Sequence, residues 1–191
     1  MEYWKEILGA VGIVLVIVGQ IPYVIDVLKK KTTPHFYTWL IWSITTIIIF
    51  LGQVTAGAGA GAWITGVNGG MTIFITLLAL RYGTKDVRPV DTFFLCLALF
   101  GIVLWMLTSD PLYSVVLSSI IGVVAYLPTI RKSWKDPQSE TASLYGISFV
   151  RHFLSIFALS SYNITTIIYP LSAGIMNAIT LAVVSRKKPK Q

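Results

Sequence analysis

The stretch Gly19-Gln20-Ile21-Pro22-Tyr23-Val24-Ile25, with the basic run Lys29-Lys30-Lys31 just behind it, recurs in outline as Ala125-Tyr126-Leu127-Pro128-Thr129-Ile130 with Arg131 and Lys132 behind it. In both places a long apolar block carries a proline near its basic end. The next segments also correspond: Thr32-Thr33-Pro34-His35-Phe36-Tyr37 opens the next apolar block in one case, and Glu140-Thr141-Ala142-Ser143-Leu144-Tyr145 in the other. A third, looser match pairs Ile75-Thr76-Leu77 with Ile179-Thr180-Leu181. Correspondence of this kind reads as internal duplication. The chain is then two copies of three helices joined by a fourth. One linking helix between the copies sends both into the membrane in the same sense, so the repeats are parallel.

Composition places those helices in a bilayer. Of 191 residues, 55% are apolar and 12% are charged, against about 25% charged in soluble domains. The apolar residues lie in blocks of about 17 to 23, the length that crosses hydrocarbon. Spans are expected at Ile7–Leu28, Phe36–Val54, Trp63–Tyr82, Thr92–Thr108, Leu112–Ile130, Leu144–Tyr162 and Ile164–Ser185. The fold class is therefore an all-α membrane protein with seven transmembrane helices. Residues 1–83 form the first three-helix repeat, 84–110 the linker helix, 111–185 the second repeat and 186–191 a basic cytoplasmic tail. The block from Leu144 to Val184 would be ~60 Å of helix if unbroken, twice the hydrocarbon thickness. Ser160-Ser161-Tyr162-Asn163 is the polar cluster where it turns. The first block is too long for a signal h-region and reads as a retained span.

Charge placement sets the expected orientation. Thirteen of the 15 basic residues follow spans one, three, five and seven. The alternate connections Ala56–Ala62, Ser109–Pro111 and Ser160–Asn163 contain no Lys or Arg. By the positive-inside rule the amino terminus lies outside and the carboxyl terminus in the cytoplasm. The net charge of +7 thus reads as topology and attraction to anionic headgroups, and not as nucleic-acid binding. Seven spans leave no room for a soluble catalytic domain. A lone Cys96 allows neither an internal disulfide nor a thiolate cluster and reads as a lipid-facing or packing residue. No metalloprotease, phosphate-loop or nucleophile motif is present. The expectation is a non-enzyme without cofactor or metal, whose partners are the lipid bilayer and a polar small-molecule substrate. Homo-oligomerisation is left open.

With these motifs the chain resembles the PQ-loop superfamily, which includes the SWEET sugar transporters, the lysosomal cystine and cationic amino-acid exporters and the KDEL receptor. The resemblance covers nearly the whole chain and implies the 3+1+3 plan and transport by alternating access. It rests on Pro22 and Pro128, each followed by a basic loop, and on Val67-Asn68, similar to a SWEET Val-Asn whose asparagine contacts substrate. Tyr23 and Thr129 stand where the family has its name-giving glutamine. Pro170-Leu171 stands for a Pro-Asn, with Asn177 as the replacement amide. Leu51 and Leu159 take the places of paired tryptophans in sugar-transporting members.

Prolines and polar side chains inside the spans are the candidates for mechanism. Pro22 and Pro128 each remove a helical hydrogen bond, near Val18 and Val124; they are hinges for alternating access, or static kinks. Arg151 lies near the middle of span six, where a charge costs roughly 2.5 to 3.5 kcal/mol. It faces a wet cavity or a partner: backbone carbonyls freed by a proline, an anionic group of the substrate, or carbonyls held permanently. Ser148, Arg151 and Ser155 share a helix face, with His152 beside it. His152 is a proton-coupling candidate, since histidine titrates near neutrality, or a buried neutral side chain. Asn68, flanked by Thr65 and Thr72, and Asn177, one turn before Thr180, are substrate-binding candidates or interhelical glue. Gln20 could line the same pathway. Gly66 and Gly70 read as a close-packing pair. Trp39 and Trp42, like Trp4 and Trp63, read as interfacial anchors, and His35 and Glu140 as solvated loop residues. The function these residues describe is movement of a sugar, amino acid or carboxylate around a midplane cavity. The alternatives are a non-transporting receptor for an anionic ligand or peptide carboxylate, and a membrane scaffold.

Overall fold

The computed structural model describes residues 3–31, 33–83, 88–135, 137 and 142–186, without the side chains of 128, 129, 131, 132 and 135. Among them the chain is all-helical: α1 (Trp4–Leu28), α2 (Phe36–Thr55), α3 (Ala60–Tyr82), α4 (Pro89–Thr108), α5 (Pro111–Lys135), α6 (Ala142–Phe157) and α7 (Ile164–Val184). Five of the seven, α1 to α4 and α7, are long and apolar enough to cross a membrane. The protein is a membrane-embedded, multi-pass helical protein.

Local chemistry starts the helices where the sequence places its breaks. The His35 ring caps α2 by accepting from Thr38 N at 3.4 Å. Its other ring nitrogen lies 3.9 Å from Asp91 of α4, so His35 ties two helices instead of resting in a solvated loop as expected. Pro89 opens α4, where Asp91 accepts from Arg88 N at 2.9 Å; proline suits a first turn whose N–H has no helical partner. Asn163 caps α7 by accepting from Thr166 N at 3.1 Å. The connection containing Lys85, the residues of the basic tail beyond Arg186, and Glu140 lie outside the described residues.

One boundary departs from expectation. Helix α6 ends at Phe157 and not at Tyr162. The chain leaves the helix because the residues beyond it bond to the connection between α2 and α3. Gly61 N donates to Ala158 O at 3.0 Å, and Ser160 N donates to Ala58 O at 2.9 Å. Gly57 and Gly59 hold positive φ angles of 76° and 61°, a region open to glycine. A Cβ on Gly59 would also collide with Ser160. At about 1.5 Å per residue, the 16 residues of α6 are shorter than the thickness of a bilayer core.

Helix α3 packs against both α1 and α2, and α7 packs against both α5 and α6. Across the middle, α1 meets α6 and α2 meets α5, while α4 lies against α2 and α5. Small residues set the close approaches: Gly9 and Gly12 of α1 face Ala60, Trp63 and Ile64 of α3, the packing mode of helices in lipid. On α1, Ile7, Val11, Val14, Val18, Ile21 and Ile25 are exposed, a helical stripe offered to hydrocarbon. Met106 and Leu107 of α4 are 77% and 75% exposed. The polarity is inverted relative to a soluble protein, with Gln53, Asn68, Asn177 and many hydroxyls inside.

Gly66 and Gly70 do not act as the pair their spacing suggests. A Cβ on Gly66 would meet the Phe50 ring at 2.7 Å, whereas Gly70 faces open space. Cys96 is exposed on α4.

Candidate functional site

The six helices other than α4 enclose a cavity of about 190 Å³. Its walls are mostly apolar, but each of the six helices also contributes an amide, a hydroxyl or the one guanidinium. Two residues before Pro22, Gln20 of α1 reaches α3 and donates from Nε2 to Asn68 Oδ1 at 2.8 Å. Two residues before Pro128, Tyr126 of α5 reaches α7, where Asn177 Nδ2 donates to its hydroxyl at 2.9 Å. The same Asn177 amide also donates to Ala173 O at 2.8 Å. All four side chains line the cavity.

Arg151 of α6 and its neighbour His152 line the same cavity. Tyr169 of α7 lies beside the Arg151 guanidinium and Thr46 of α2. The Arg151 Nη1 atom is buried and has no partner among the described residues. A phenol beside Arg151 is a neighbour that the sequence reading did not name. The buried His152 ring stands edge-on to Tyr169, with centroids 5.3 Å apart. Ser148 shares this wall. Ser155 departs from it and donates instead to Gly61 O at 2.9 Å.

Aromatic side chains line the end of the cavity toward the basic connections. Trp39 Nε1 donates to Tyr23 OH at 3.1 Å, and the Trp39 and Trp42 rings meet edge to face at 5.2 Å. Both tryptophans line the cavity, a correction to their reading as interfacial anchors. Tyr23, the residue after Pro22, accepts this bond and positions Trp39. Their role escaped the sequence because a tryptophan near a helix start has the same spacing on either face.

The opposite end is closed by protein. Beyond the two backbone bonds between 58–61 and 158–160, Asn163 Nδ2 donates to Ala56 O at 3.2 Å, and the fully buried Gln53 Nε2 donates to Thr166 O at 3.0 Å. These contacts join α2 and α3 to the end of α6 and the start of α7, at the end where the connections 56–62 and 160–163 carry no Lys or Arg.

The sequence-expected site residues thus divide. Gln20, Asn68, Arg151, His152 and Asn177 come together on one cavity. Pro22 lies inside α1 with its ring exposed, away from the wall, and the side chain of Pro128 lies outside the described residues. Leu159 is fully buried in the seam after α6, whereas Leu51 is exposed. Sequence reasoning missed Tyr126, Tyr169, Ser118 and Ser119 as wall residues. Tyr126 carried a usable clue, since it stands in the same place relative to its proline as Gln20. Ser118 and Ser119, mid-helix hydroxyls in an apolar block, carried another. No protein-family model, curated protein or solved structure matches this chain.

Proposed function

We propose that the protein is a seven-span transporter of a small polar metabolite, built as two parallel three-helix repeats that rock around the central cavity. The carrying observation is the paired arrangement of Gln20 with Asn68 and Tyr126 with Asn177 around Arg151. A residue two positions before a proline links the first helix to the third in each group. That correspondence, and α3 and α7 each packing on both of their companions, support the duplication and the PQ-loop resemblance. The cavity exceeds the ~30 Å³ share of one water, which favours a ligand over a dry scaffold. A cavity that carries a charge and several amides and hydroxyls among lipid-facing helices is the usual setting of a substrate path.

In this reading the basic connections face the cytoplasm. The hydrogen-bonded seam between 56–61 and 158–163 is then the closed outer gate, and the cavity belongs to the inward-facing half of the cycle. Opening outward separates the seam while Pro22 and Pro128 let α1 and α5 bend. Gln20, Asn68, Asn177 and Arg151 bind cargo, and His152 carries the proton if movement is coupled.

Purified protein in liposomes, assayed with sugars, amino acids and carboxylates with and without a pH gradient, tests the proposal. Transport predicts flux of at least one class, reduced by Arg151→Ala; absence of flux for every class contradicts it. A receptor would instead show saturable binding without counterflow.

A further inference from the structure

Six buried side-chain atoms have no hydrogen-bond partner among the described residues: Gln20 Oε1, Gln53 Oε1, Ser118 Oγ, Ser119 Oγ, Ser133 Oγ and Arg151 Nη1. Three of them, on Gln20, Ser119 and Arg151, belong to side chains of the central cavity; Ser118 Oγ lies instead toward α4, 3.8 Å from where a Cβ on Gly101 would stand. Folded proteins leave few buried polar atoms unpaired, and a cluster of them around one cavity marks where a bound molecule supplies the partners.

The three atoms form a template. Arg151 Nη1 only donates. Gln20 Oε1, a carbonyl oxygen, only accepts, while Nε2 of the same amide gives one of its hydrogens to Asn68. The Ser119 hydroxyl does either. The complement therefore presents an acceptor to Arg151, a donor to Gln20, and a further hydroxyl-type group to Ser119. Charge narrows it further. Arg151 is the one Lys, Arg, Asp or Glu side chain on the described wall. A monoanion balances it. A neutral sugar leaves the guanidinium unpaired, a zwitterion brings an ammonium that finds no carboxylate, and a dianion overcompensates. Unpaired buried charge is costly, so these are strong discriminations. Size narrows it again: about 190 Å³ lies below the roughly 300–1,000 Å³ of sites for drug-sized ligands.

We infer that the cavity takes a small monoanionic hydroxycarboxylate, its carboxylate on Arg151 and its hydroxyls on Gln20 and Ser119. The inference rests on the reading of this cavity as the cargo site. These three polar atoms have essentially no accessible surface, so binding turns each of them into the cavity, with Tyr169 beside Arg151.

The test is tryptophan fluorescence of the purified full-length protein in lipid nanodiscs, since Trp39 and Trp42 line the cavity. D-Glycerate is titrated beside glyceramide, which lacks the charge, propionate, which lacks the hydroxyls, serine, which adds an ammonium, tartronate, which adds a carboxylate, and glucose. Glycerate is expected to bind tightest, with glyceramide at least about 10-fold weaker and propionate about 3- to 10-fold weaker. Arg151→Gln abolishes the preference of glycerate over glyceramide, and Arg151→Lys restores part of it. The wild-type series stands alone if Arg151→Gln fails to fold. Equal or tighter binding of glyceramide, serine, tartronate or glucose overturns the inference, as does absence of saturable glycerate binding. The two proposals fail separately. Glycerate bound without counterflow of labelled glycerate upholds the ligand class and refutes transport. Sugar counterflow without glycerate binding refutes the ligand class and leaves transport standing.

Discussion

Helices α1–α3 and α5–α7 solve one structural problem with different chemistry. The first group joins its outer helices amide to amide, through Gln20 and Asn68; the second joins them phenol to amide, through Tyr126 and Asn177. Both links start two residues before a proline, so position is kept while the side chain changes. The second group also carries Arg151 and Tyr169, whereas the matching wall of α2 presents Thr45 and Thr46. The cavity is therefore paired in placement and one-sided in charge. One group can supply the geometry of a cargo site while the other supplies its electrostatics.

Removing the charge should break this contrast most severely. Arg151→Gln is expected to lower uptake about 10- to 100-fold in proteoliposomes, because hydrogen bonds to a charged group contribute about 1.5–3 kcal/mol. Next in size, Gln20→Leu leaves the buried Asn68 Oδ1 without the donor it has now, a loss of about 1–3 kcal/mol to be read from unfolding in detergent. Tyr126→Phe is milder, about 0.5–1.5 kcal/mol, because Asn177 keeps its bond to Ala173 O. An equal or larger effect for Tyr126→Phe would mean that the phenol link, not the amide link, carries the structural load. Smallest is Thr45→Val. Its hydroxyl already bonds back to Ile41 O at 2.9 Å within its own helix, so uptake should stay within about 2-fold. A large loss there would place binding chemistry on the α2 wall and dissolve the asymmetry.

The helical membrane architecture was legible because it rests on block length and composition, properties that tertiary context rarely overrides. Helix starts at Phe36, Pro89 and Ile164 were readable, or nearly so, from His35, Pro89 and Asn163. The end of α6 was not. Phe157 and Leu159 look alike as apolar residues, and the break is made by backbone bonds to Ala58 and Gly61, partners about a hundred residues away. The site followed the same division. Gln20, Asn68, Arg151, His152 and Asn177 stood out because polar groups are expensive in hydrocarbon. Tyr126, Tyr169, Trp39 and Trp42 did not, since an aromatic ring suits lipid, interface and cavity equally. Only the packing of α2 on α5 and of α6 on α7 turns those rings inward.

Alternating access is tested most directly by the reach of solvent to the cavity wall from each side of the membrane. Cys96, exposed on α4, is replaced by alanine, and Ser148, on the wall beside Arg151, is replaced by cysteine. A membrane-impermeant thiol reagent is then applied to one face of oriented vesicles at a time. Two rocking repeats predict modification of Ser148→Cys from both faces, with cargo slowing each rate. Modification from one face alone, under every cargo condition, would contradict a transport cycle and leave a receptor.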